Sequence, residues 1–536
     1  MISRSSQRWA WSSARPRAAT NSTARCVSSS RAPRCLPSSP GISYADGTSV
    51  TYTYDADGNV TAMTDATGTT TYTYDALNRE TGKTLPSGAT FAYGYDGVGN
   101  MTSYADSGGT VSYTYSPVNT LSTLTDPGTN ETTYAYNAEY QPTSIAYPNG
   151  ATMTLTYTTA GQMASIVAKN SGGTELTGYT YSYVNPANGT ATALRYSMTD
   201  ASGATTAYSY DVLNRLTEAK TTSGGTVTAD YQYAYDGNGN RTSQDANGNS
   251  TAYTYNAANE LTAAGATTYS YDANGNETGN SSGLSLTYNA ANMTSSITPP
   301  NASAIAMTYT GATQTQRVAA GSTGFQYGLV GLASQTGSGA TTYYTRTPSG
   351  QLVSERTPGG TYYYLFDGLG SVVGLTDSTG NLVNTYQYDP YGNVTSQTGT
   401  VANPWLFASA YFDSATGLYK MGARYYDPTA GRWTQLDPKP GSGVSPNTLD
   451  GYAYVANDPI ILVDLFGYSW SWYQFAKSTV SNGVGGAASG AVYGALGGTV
   501  TLPVIGTVAG AGAGALVGLV AGSAWGAAGY IATFWW

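Results

Sequence analysis

Pairs of tyrosines separated by one small residue recur along the chain, and turn-forming residues follow each pair. The segment beginning at Tyr52 reads YTYDADGNVT, and the one beginning at Tyr233 reads YAYDGNGNRT. Because side chains alternate between the two faces of a strand, both rings of a pair lie on one face. The Asp-x-x-Gly-Asn that follows is typical of a turn, in which the Asp side chain caps the backbone and Gly or Asn adopts the left-handed conformation. Each unit therefore predicts a short β-hairpin with a tyrosine stripe.

The unit recurs thirteen times, counting weaker copies, at a nearly regular spacing that widens in the middle of the chain. Its second tyrosine stands at Tyr54, Tyr74, Tyr95, Tyr115, Tyr136, Tyr157, Tyr183, Tyr210, Tyr235, Tyr255, Tyr271, Tyr288 and Tyr309. A single hairpin is barely stable in water, so neighbouring hairpins must stack and share their stripe. The repeats predict an all-β architecture. The stripe is also compatible with sugar binding, although its presence in every unit favours packing of strand on strand.

The composition agrees with strands and turns and excludes several functions. Of 536 residues, 49 are Tyr and 66 are Gly, whereas charged residues make up only 10%. That low charge argues against a coiled coil, a charged disordered chain and a basic nucleic-acid binder. The absence of histidine excludes His-ligated zinc, a Ser-His-Asp triad and a Cys-His pair. The Asp-rich turns offer too few ligands for calcium loops. We expect carboxylate chemistry without a cofactor or metal.

Residues 1–43 form a separate basic segment. The first 40 residues contain both cysteines of the chain, Cys26 and Cys35, and no acidic residue. Their arginines are Arg4, Arg8, Arg15, Arg17, Arg25, Arg31 and Arg34. No apolar run is long enough for the core of a signal peptide. We predict a disordered, solvated tail or a mis-set translation start rather than an anion-binding patch, so that export requires a specialised machine or a missing upstream segment. The rest of the chain is acidic, which does not suggest nucleic-acid binding.

The tyrosine units resemble the YD repeats of the Rhs, teneurin and Tc-toxin C-subunit superfamily. This resemblance implies that residues 44–360 wind into a spiral sheet that closes into a hollow shell. Residues 362–468 resemble the Rhs repeat-associated core domain, through the segments YYYLFDGLGSVVGLTDSTGNLVNTYQYDPYGNV, FASAYFDSATGLYKMGARYYDPTAGRWTQLDPKP and LDGYAYVANDPIILVDLFGY. In that family the core domain plugs the shell and cuts its own chain.

The resemblance assigns the cleavage to Asp437, Asp464 and Arg424, and the bond that is cut to Tyr468–Ser469. Two carboxylates held close together cannot both ionise easily, so one retains a proton while the other activates water. The alternative interpretation is that these aspartates only form turns, as Asp-Pro and Asp-x-x-Gly commonly do. The sequence has Leu465 where the family has proline, and Tyr468 where it has leucine. The loss of proline removes a constraint on the turn before the scissile bond.

Residues 469–536 have a different composition. Residues 478–536 include no charged side chain, and glycines recur at every fourth position on both sides of Pro503. Spacing by four places them on one helix face, the small-residue seam of packed membrane helices. We predict a Gly-rich α-helical hairpin that enters a membrane through residues 482–534. The alternatives are an apolar segment held inside the shell and a disordered end.

These features predict an Rhs-type polymorphic toxin, or its C-terminal part, whose shell encloses a membrane-active cargo. By resemblance, its partners are a cognate immunity protein, a delivery machinery that takes it out of the producing cell, and a further shell subunit if thirteen repeats do not close. The alternative is a cell-surface or wall-associated adhesion protein that binds carbohydrate and is anchored by its C-terminal tail.

Overall fold

The computed structural model describes residues 41–438 and 450–468, together with three short strand segments beyond residue 470. Its first 35 strands form one sheet in which each strand pairs antiparallel with the next one along the chain. The all-β prediction is confirmed. The sheet continues through residues 360–398 without interruption, so it includes the first part of the segment that resembles the core domain.

The strands of the large sheet are short and regularly spaced. They are β1 Gly41–Ser43, β2 Ser49–Tyr54, β3 Val60–Asp65, β4 Gly68–Tyr74, β5 Glu80–Thr84, β6 Thr90–Tyr95, β7 Met101–Asp106, β8 Gly109–Tyr115, β9 Leu121–Thr125, β10 Glu131–Tyr136, β11 Pro142–Ala146, β12 Thr152–Tyr157, β13 Met163–Lys169, β14 Glu175–Ser182, β15 Ser197–Asp200, β16 Thr205–Tyr210, β17 Leu216–Ser223, β18 Thr226–Tyr235, β19 Arg241–Ala246, β20 Asn249–Tyr255, β21 Leu261–Ala264, β22 Thr267–Tyr271, β23 Glu277–Asn280, β24 Ser285–Tyr288, β25 Thr294–Thr298, β26 Ile305–Thr310, β27 Gln316–Ala320, β28 Thr323–Gly328, β29 Gly331–Gly337, β30 Ala340–Arg346, β31 Leu352–Thr357, β32 Gly360–Phe366, β33 Val372–Thr376, β34 Leu382–Tyr388 and β35 Val394–Thr398.

The segment after the large sheet, residues 399–468, is called the plug below. Its described residues, 399–438 and 450–468, form a small antiparallel sheet and two 3₁₀ turns, and three further described strands follow it. The plug elements are the 3₁₀ turn Phe407–Ser409, β36 Tyr411–Asp413, β37 Leu418–Met421, β38 Arg424–Asp427, β39 Arg432–Trp433, the 3₁₀ turn Tyr454–Asn457 and β40 Leu462–Val463. Beyond it lie β41 Ser471–Trp472, which pairs with β40, and β42 Thr499–Leu502, which pairs with β43 Gly506–Ala509.

The turns form as the repeat predicts, through the aspartate side chain. The carboxylate of Asp55 accepts the backbone N–H groups of Asp57 and Asn59 at 3.0 and 2.9 Å. It also accepts the Asn59 side-chain amide, which donates at 2.8 Å to Asn78 in the next turn. The hydrogen bonds to the charged form outweigh the effect of partial burial and lower the pKa of Asp55. Each turn is thus closed internally and tied to its neighbour.

The second tyrosine of the unit joins successive hairpins. In nine of the thirteen repeats, and at Tyr388 of the similar segment YQYDPYGNV, its hydroxyl donates to a backbone carbonyl at or near the start of a preceding strand. The donor and acceptor pairs are Tyr74 with Val60, Tyr95 with Glu80, Tyr115 with Met101, Tyr157 with Pro142, Tyr183 with Met163, Tyr210 with Arg195, Tyr235 with Leu216, Tyr255 with Arg241, Tyr288 with Glu277 and Tyr388 with Val372. These bonds favour the interpretation of the stripe as packing rather than as a sugar-binding surface.

We expect Tyr255→Phe to lower the free energy of unfolding by about 1 to 2 kcal/mol, because it leaves the carbonyl of Arg241 without this donor. The hydroxyl of Tyr255 lies 2.7 Å from that carbonyl oxygen. Tyr54→Phe is the matched control, since Tyr54 has the same place in the first unit and is 38% exposed. Urea unfolding followed by circular dichroism measures both. Equal losses in the two variants would contradict the assigned role.

The large sheet is a spiral that makes more than one full turn. Strands far apart in the chain are joined by side-chain hydrogen bonds, whereas their backbones do not pair. The joined residues are Asp65 with Gly311, Tyr93 with Leu329, Tyr113 with Arg346 and Tyr147 with Tyr364, separated by 246, 236, 233 and 217 positions. The first strands therefore lie against strands one turn of the spiral later, and the tyrosine stripes of successive turns enclose one hydrophobic core.

The plug packs into this core and against a row of repeat turns. The ring of Trp405 meets that of Tyr344 edge-on at 5.4 Å, and Phe407, Tyr426 and Trp433 surround Tyr454. Three plug side chains donate to carbonyls in successive repeat turns: Asn457 to Gly239, Arg432 to Asn259 and Tyr452 to Gly275. A buried ion pair of 2.8 Å joins Arg317 of β27 to Asp413 of β36. The plug is thereby held at several points around the spiral.

Little of the C-terminal tail is described. The described residues of the chain contain no helix long and apolar enough to cross a membrane. Within the predicted helical hairpin, β42 Thr499–Leu502 and β43 Gly506–Ala509 form an antiparallel pair, so these two segments are extended where we predicted helix. Their β-branched Thr and Val residues favour strands, which explains the difference. The rest of the hairpin and residues 1–40 lie outside the described residues.

Candidate cleavage site

Arg424 is the centre of the predicted site. It is the first residue of β38 and is 3% exposed. One terminal nitrogen, Nη2, lies 2.8 Å from Oδ2 of Asp437 and 3.3 Å from Oδ2 of Asp464. The structure thus brings together all three residues that the family resemblance assigned to cleavage. Both carboxylates bind the same nitrogen, so they lie next to each other although they belong to different segments of the plug.

The surroundings of Arg424 fix its orientation. Its guanidinium lies over the ring of Trp433, 4.1 Å from the ring centre, and its Nη1 donates to the carbonyl of Gly451 at 3.0 Å. The same carbonyl accepts the backbone N–H of Asp437 at 3.0 Å. Trp433 and Gly451 were not predicted from the sequence. The nearest signal was the GRW segment before Asp437, which the prediction used only to locate that aspartate.

Asp464 connects the arginine to the predicted scissile bond. Its Oδ1 accepts the backbone N–H of Tyr468 at 3.2 Å, while Oδ2 faces Arg424. The side chain of Asp464 is 4% exposed and that of Asp437 is 18% exposed. Asp437 is therefore the carboxylate that solvent reaches, and Asp464 is the one that holds the backbone. Ser469, on the other side of the predicted bond, lies outside the described residues.

The electrostatics of the site are dominated by burial. Burial lowers the pKa of Arg424, and the charges of Asp437 and Asp464 oppose this effect. Burial raises the pKa of the Tyr468 hydroxyl. The charge of Arg424 lowers this pKa, whereas the charge of Asp437 raises it further. Tyr468 therefore experiences the charges of the site, although the family has leucine at this position. Among the described residues no three His, Cys, Asp or Glu side chains form a group that could hold a metal ion.

This arrangement has the components of a water-activating site. A solvent-accessible carboxylate can accept a proton from water, and a second carboxylate holds the backbone N–H of Tyr468, beside the predicted scissile bond. The shared guanidinium compensates the charge of both in a buried setting. The turn that carries Leu465 keeps the backbone of Tyr468 on Asp464 without the proline of the family motif.

Two family profiles match the chain. The RHS Repeat profile matches residues 41–70, 54–90, 74–111 and 115–152, and the Teneurin YD-shell profile matches residues 187–460, which is half of the chain. The chain belongs to the teneurin YD-shell family. The second match contains both the later repeats and most of the plug, so it includes Arg424 and Asp437 of the candidate cleavage site and ends before Asp464 and Tyr468.

Curated relatives of this YD-shell protein include toxins. This chain is 31% identical over 278 residues to the tRNA3(Ser)-specific nuclease WapA of Bacillus spizizenii. The match covers 49% of this chain and 12% of that protein. It is 35% identical over 124 residues to toxin subunit YenC1 of Yersinia entomophaga, covering 22% of this chain and 12% of that subunit. The chain thus spans about an eighth of the length of these relatives.

Among solved structures, the Tc holotoxin pore of Photorhabdus luminescens matches with a TM-score of 0.58 and 16% identity. The match covers 81% of this chain and 24% of that chain. At this identity it establishes the fold alone. The spiral sheet of the YD-shell protein is therefore the fold of a Tc-toxin shell.

Proposed function

We propose that this chain is the shell and plug of a polymorphic toxin that cleaves itself after Tyr468 and so separates residues 469–536 as cargo. The observation that carries the proposal is the contact of one Arg424 nitrogen with both Asp437 and Asp464, while Asp464 holds the backbone of Tyr468. The toxin relatives support it, because their sequences match this YD-shell chain. The apolar, charge-free tail that follows the shell here is the proposed cargo.

In the proposed reaction, Asp437 takes a proton from a water molecule that attacks the carbonyl carbon of Tyr468. The C–N bond to Ser469 breaks, the new amine takes up the proton, and Tyr468 ends as a carboxylate. Asp464 holds the N–H of Tyr468, and Arg424 orients both carboxylates. Residue types suited to this general acid–base role are already in place without histidine.

The proposed cargo acts on a membrane. Residues 478–536 contain no charged side chain and no histidine, which nuclease chemistry would require. A cognate immunity protein would protect the producing cell, and a specialised machinery would deliver the toxin. Partner subunits belong to the same proposal, since the relatives include the toxin subunit YenC1.

Intact mass under denaturing conditions tests the cleavage. The unmodified chain should give a C-terminal piece of about 7 kDa, its share by length of 55.6 kDa, and the complementary piece. Asp437→Asn and Asp464→Asn should each remain whole, because the amide can neither take up the proton nor complete the charge pairing. Asp377→Asn is the control, since that carboxylate bonds to Thr379 and Asn381 in a distant turn. An unmodified chain that stays at full mass would overturn the proposal.

We also expect the two pieces to stay together under native conditions. Leu462 and Val463 of β40 pair with Trp472 and Ser471 of β41, so the residues after the cut remain backbone-paired to the plug. Gel filtration of the cleaved protein in native buffer should therefore give one peak that contains both pieces, which separate only in denaturant. Elution of the small piece by itself would show that this pairing does not hold the product.

A further inference from the structure

The turn that carries Arg424 also holds the segment to be cut. β37 and β38 are joined by a two-residue turn, in which Met421 pairs with Arg424 and Gly422 has a φ of +49°. A positive φ at the first central residue of such a turn favours glycine. The amine of Lys420 on β37 hydrogen-bonds to the carbonyl of Gly422. The conformation of this turn is thereby fixed next to the cleavage site.

The backbone of the segment 464–468 lies directly on that turn. The N–H of Ala423 donates to the carbonyl of Phe466 at 3.0 Å. A Cβ atom added to Gly422 would overlap the same carbonyl group of Phe466. The contact is therefore backbone against backbone, and a side chain at position 422 would push the two apart.

Gly467 makes the reciprocal contact from the other side. Its φ is +66°, and an added Cβ would lie 2.7 Å from the carbonyl oxygen of Met421 and 3.0 Å from the backbone nitrogen of Arg424. Real Cβ atoms do not come this close to backbone atoms, which cannot move aside as a flexible side chain can. Each glycine thus leaves room for the backbone of the opposite segment, and we call this pair of contacts the interlock. Gly467 directly precedes Tyr468, whose bond to Ser469 is the one to be cut.

We propose that Gly422 and Gly467 are positioning residues for self-cleavage, which lock the segment 464–468 onto the turn that carries Arg424. This proposal rests on the proposed function. One hydrogen bond, from Ala423 to Phe466, and the ion pair of Arg424 with Asp464 join the segment to the β37–β38 hairpin. Within the segment, Asp464 accepts the backbone N–H of Tyr468. A displacement of about 1 Å at a reacting group is enough to cost two orders of magnitude in rate. The interlock therefore sets the position of the Tyr468 carbonyl relative to Asp437.

Gly467→Ala and Gly422→Ala test the proposal, with Gly417→Ala as the matched control. Gly417 lies in the other turn of β37, has a φ of +75° and has open space where a Cβ would be added. All three variants thus carry the backbone strain of alanine at positive φ, but only the first two carry the clash. We expect cleavage to slow by about tenfold to a hundredfold in the first two variants and by less than about twofold in the control. The cleavage rate is measured as the increase in the amount of the small piece with time in denaturing mass spectra, divided by the amount of folded protein.

Hydrogen exchange at the Ala423 amide separates positioning from a general loss of structure. It is measured in Asp437→Asn protein, which is expected to stay whole, with and without Gly467→Ala. We expect the added alanine to remove protection at Ala423 while the amide of Trp433, which donates to Tyr452, stays protected. Loss of protection at both amides would mean that the plug unfolds, and would overturn the positioning role.

The remaining outcomes are distinct. If the unmodified chain cleaves and Gly467→Ala cleaves at the same rate, the interlock does not position the bond. If cleavage slows while Ala423 keeps its protection, the cause is not undocking of the segment, and the proposal is again wrong. If the unmodified chain does not cleave at all, the proposed function itself has failed, whatever the exchange of Ala423 reports.

Discussion

Replacing Arg424 with methionine is expected to lower the free energy of unfolding by about 3 to 5 kcal/mol at neutral pH and to stop cleavage. The methionine fills much of the arginine's volume but leaves Asp464, whose side chain is 4% exposed, facing Asp437 with no cation between them. The carbonyl of Gly451 also loses the donor at 3.0 Å. Urea unfolding followed by circular dichroism measures the first effect, and denaturing mass spectrometry measures the second.

Two comparisons show whether the loss comes from removing the positive charge beside the two carboxylates. Adding Asp464→Asn to Arg424→Met should restore about 1 to 2 kcal/mol, because it removes one of the two buried charges. Arg79→Met should lower the free energy of unfolding by less than about 1 kcal/mol. Arg79 forms an ion pair with Asp75, and each of the two side chains is about a quarter exposed. If Arg79→Met costs as much as Arg424→Met, the effect comes from the loss of any arginine stem and not from the buried pairing.

Glu277→Gln is expected to remove the contribution of Glu277 to a fall in stability between about pH 5 and pH 8. Glu277 begins β23, is 4% exposed, and has one carboxylate oxygen without a hydrogen-bond partner among the described residues. Burial, and then the negative charge of Asp427 in the plug, raise its pKa to about 8. The glutamine resembles the protonated acid in shape and does not ionise.

The sign follows from which state binds the proton. Between the ordinary pKa of glutamate and about 8, folded Glu277 keeps its proton and the unfolded chain has lost it. Stability therefore falls as pH rises through this range, by at most about 1.4 kcal/mol per pH unit, and levels off above it. Burial also raises the pKa of Asp427, whereas the charge of Arg241 lowers it, so that group adds a change of the same sign.

Unfolding midpoints of the unmodified chain, Glu277→Gln and Glu139→Gln from pH 5 to pH 9 test this expectation. Glu139 is exposed at a repeat turn, so its variant should follow the unmodified chain. The midpoint of Glu277→Gln should exceed that of the unmodified chain by an amount that grows with pH. Parallel curves for all three proteins would show that Glu277 does not keep its proton in the folded state.

The hairpins could be predicted because their causes are local. The alternation of Tyr52 and Tyr54 with threonine, and the capping of the turn by Asp55, involve residues a few positions apart. The hydroxyl bonds from most of the second tyrosines to a preceding hairpin could not be predicted, since the repeat does not specify which neighbour receives them. The winding of the sheet likewise depends on contacts such as that of Tyr113 with Arg346, 233 positions away.

The cleavage residues were predicted only by resemblance. Nothing in the sequence distance from Arg424 to Asp437 or Asp464 requires that one guanidinium nitrogen bind both, and Asp-Pro by itself indicates a turn. The structure adds Trp433 beneath the arginine and the carbonyl of Gly451 beside it. It also shows Gly422 against the backbone of Phe466 and Gly467 against that of Met421 and Arg424, a relation between two separate turns that no local pattern encodes.

The sequence by itself determined that this protein is built from tyrosine-striped β-hairpins, because strand alternation and Asp-capped turns depend on neighbouring residues. Only the tertiary structure decided where the plug lies and that Arg424, Asp437 and Asp464 meet. These contacts join segments far apart in the chain, and their geometry is set by the twist of the stacked strands and by burial in a common core. The positions of hairpins thus follow from local chemistry, and the candidate cleavage site follows from the way the spiral and the plug pack together.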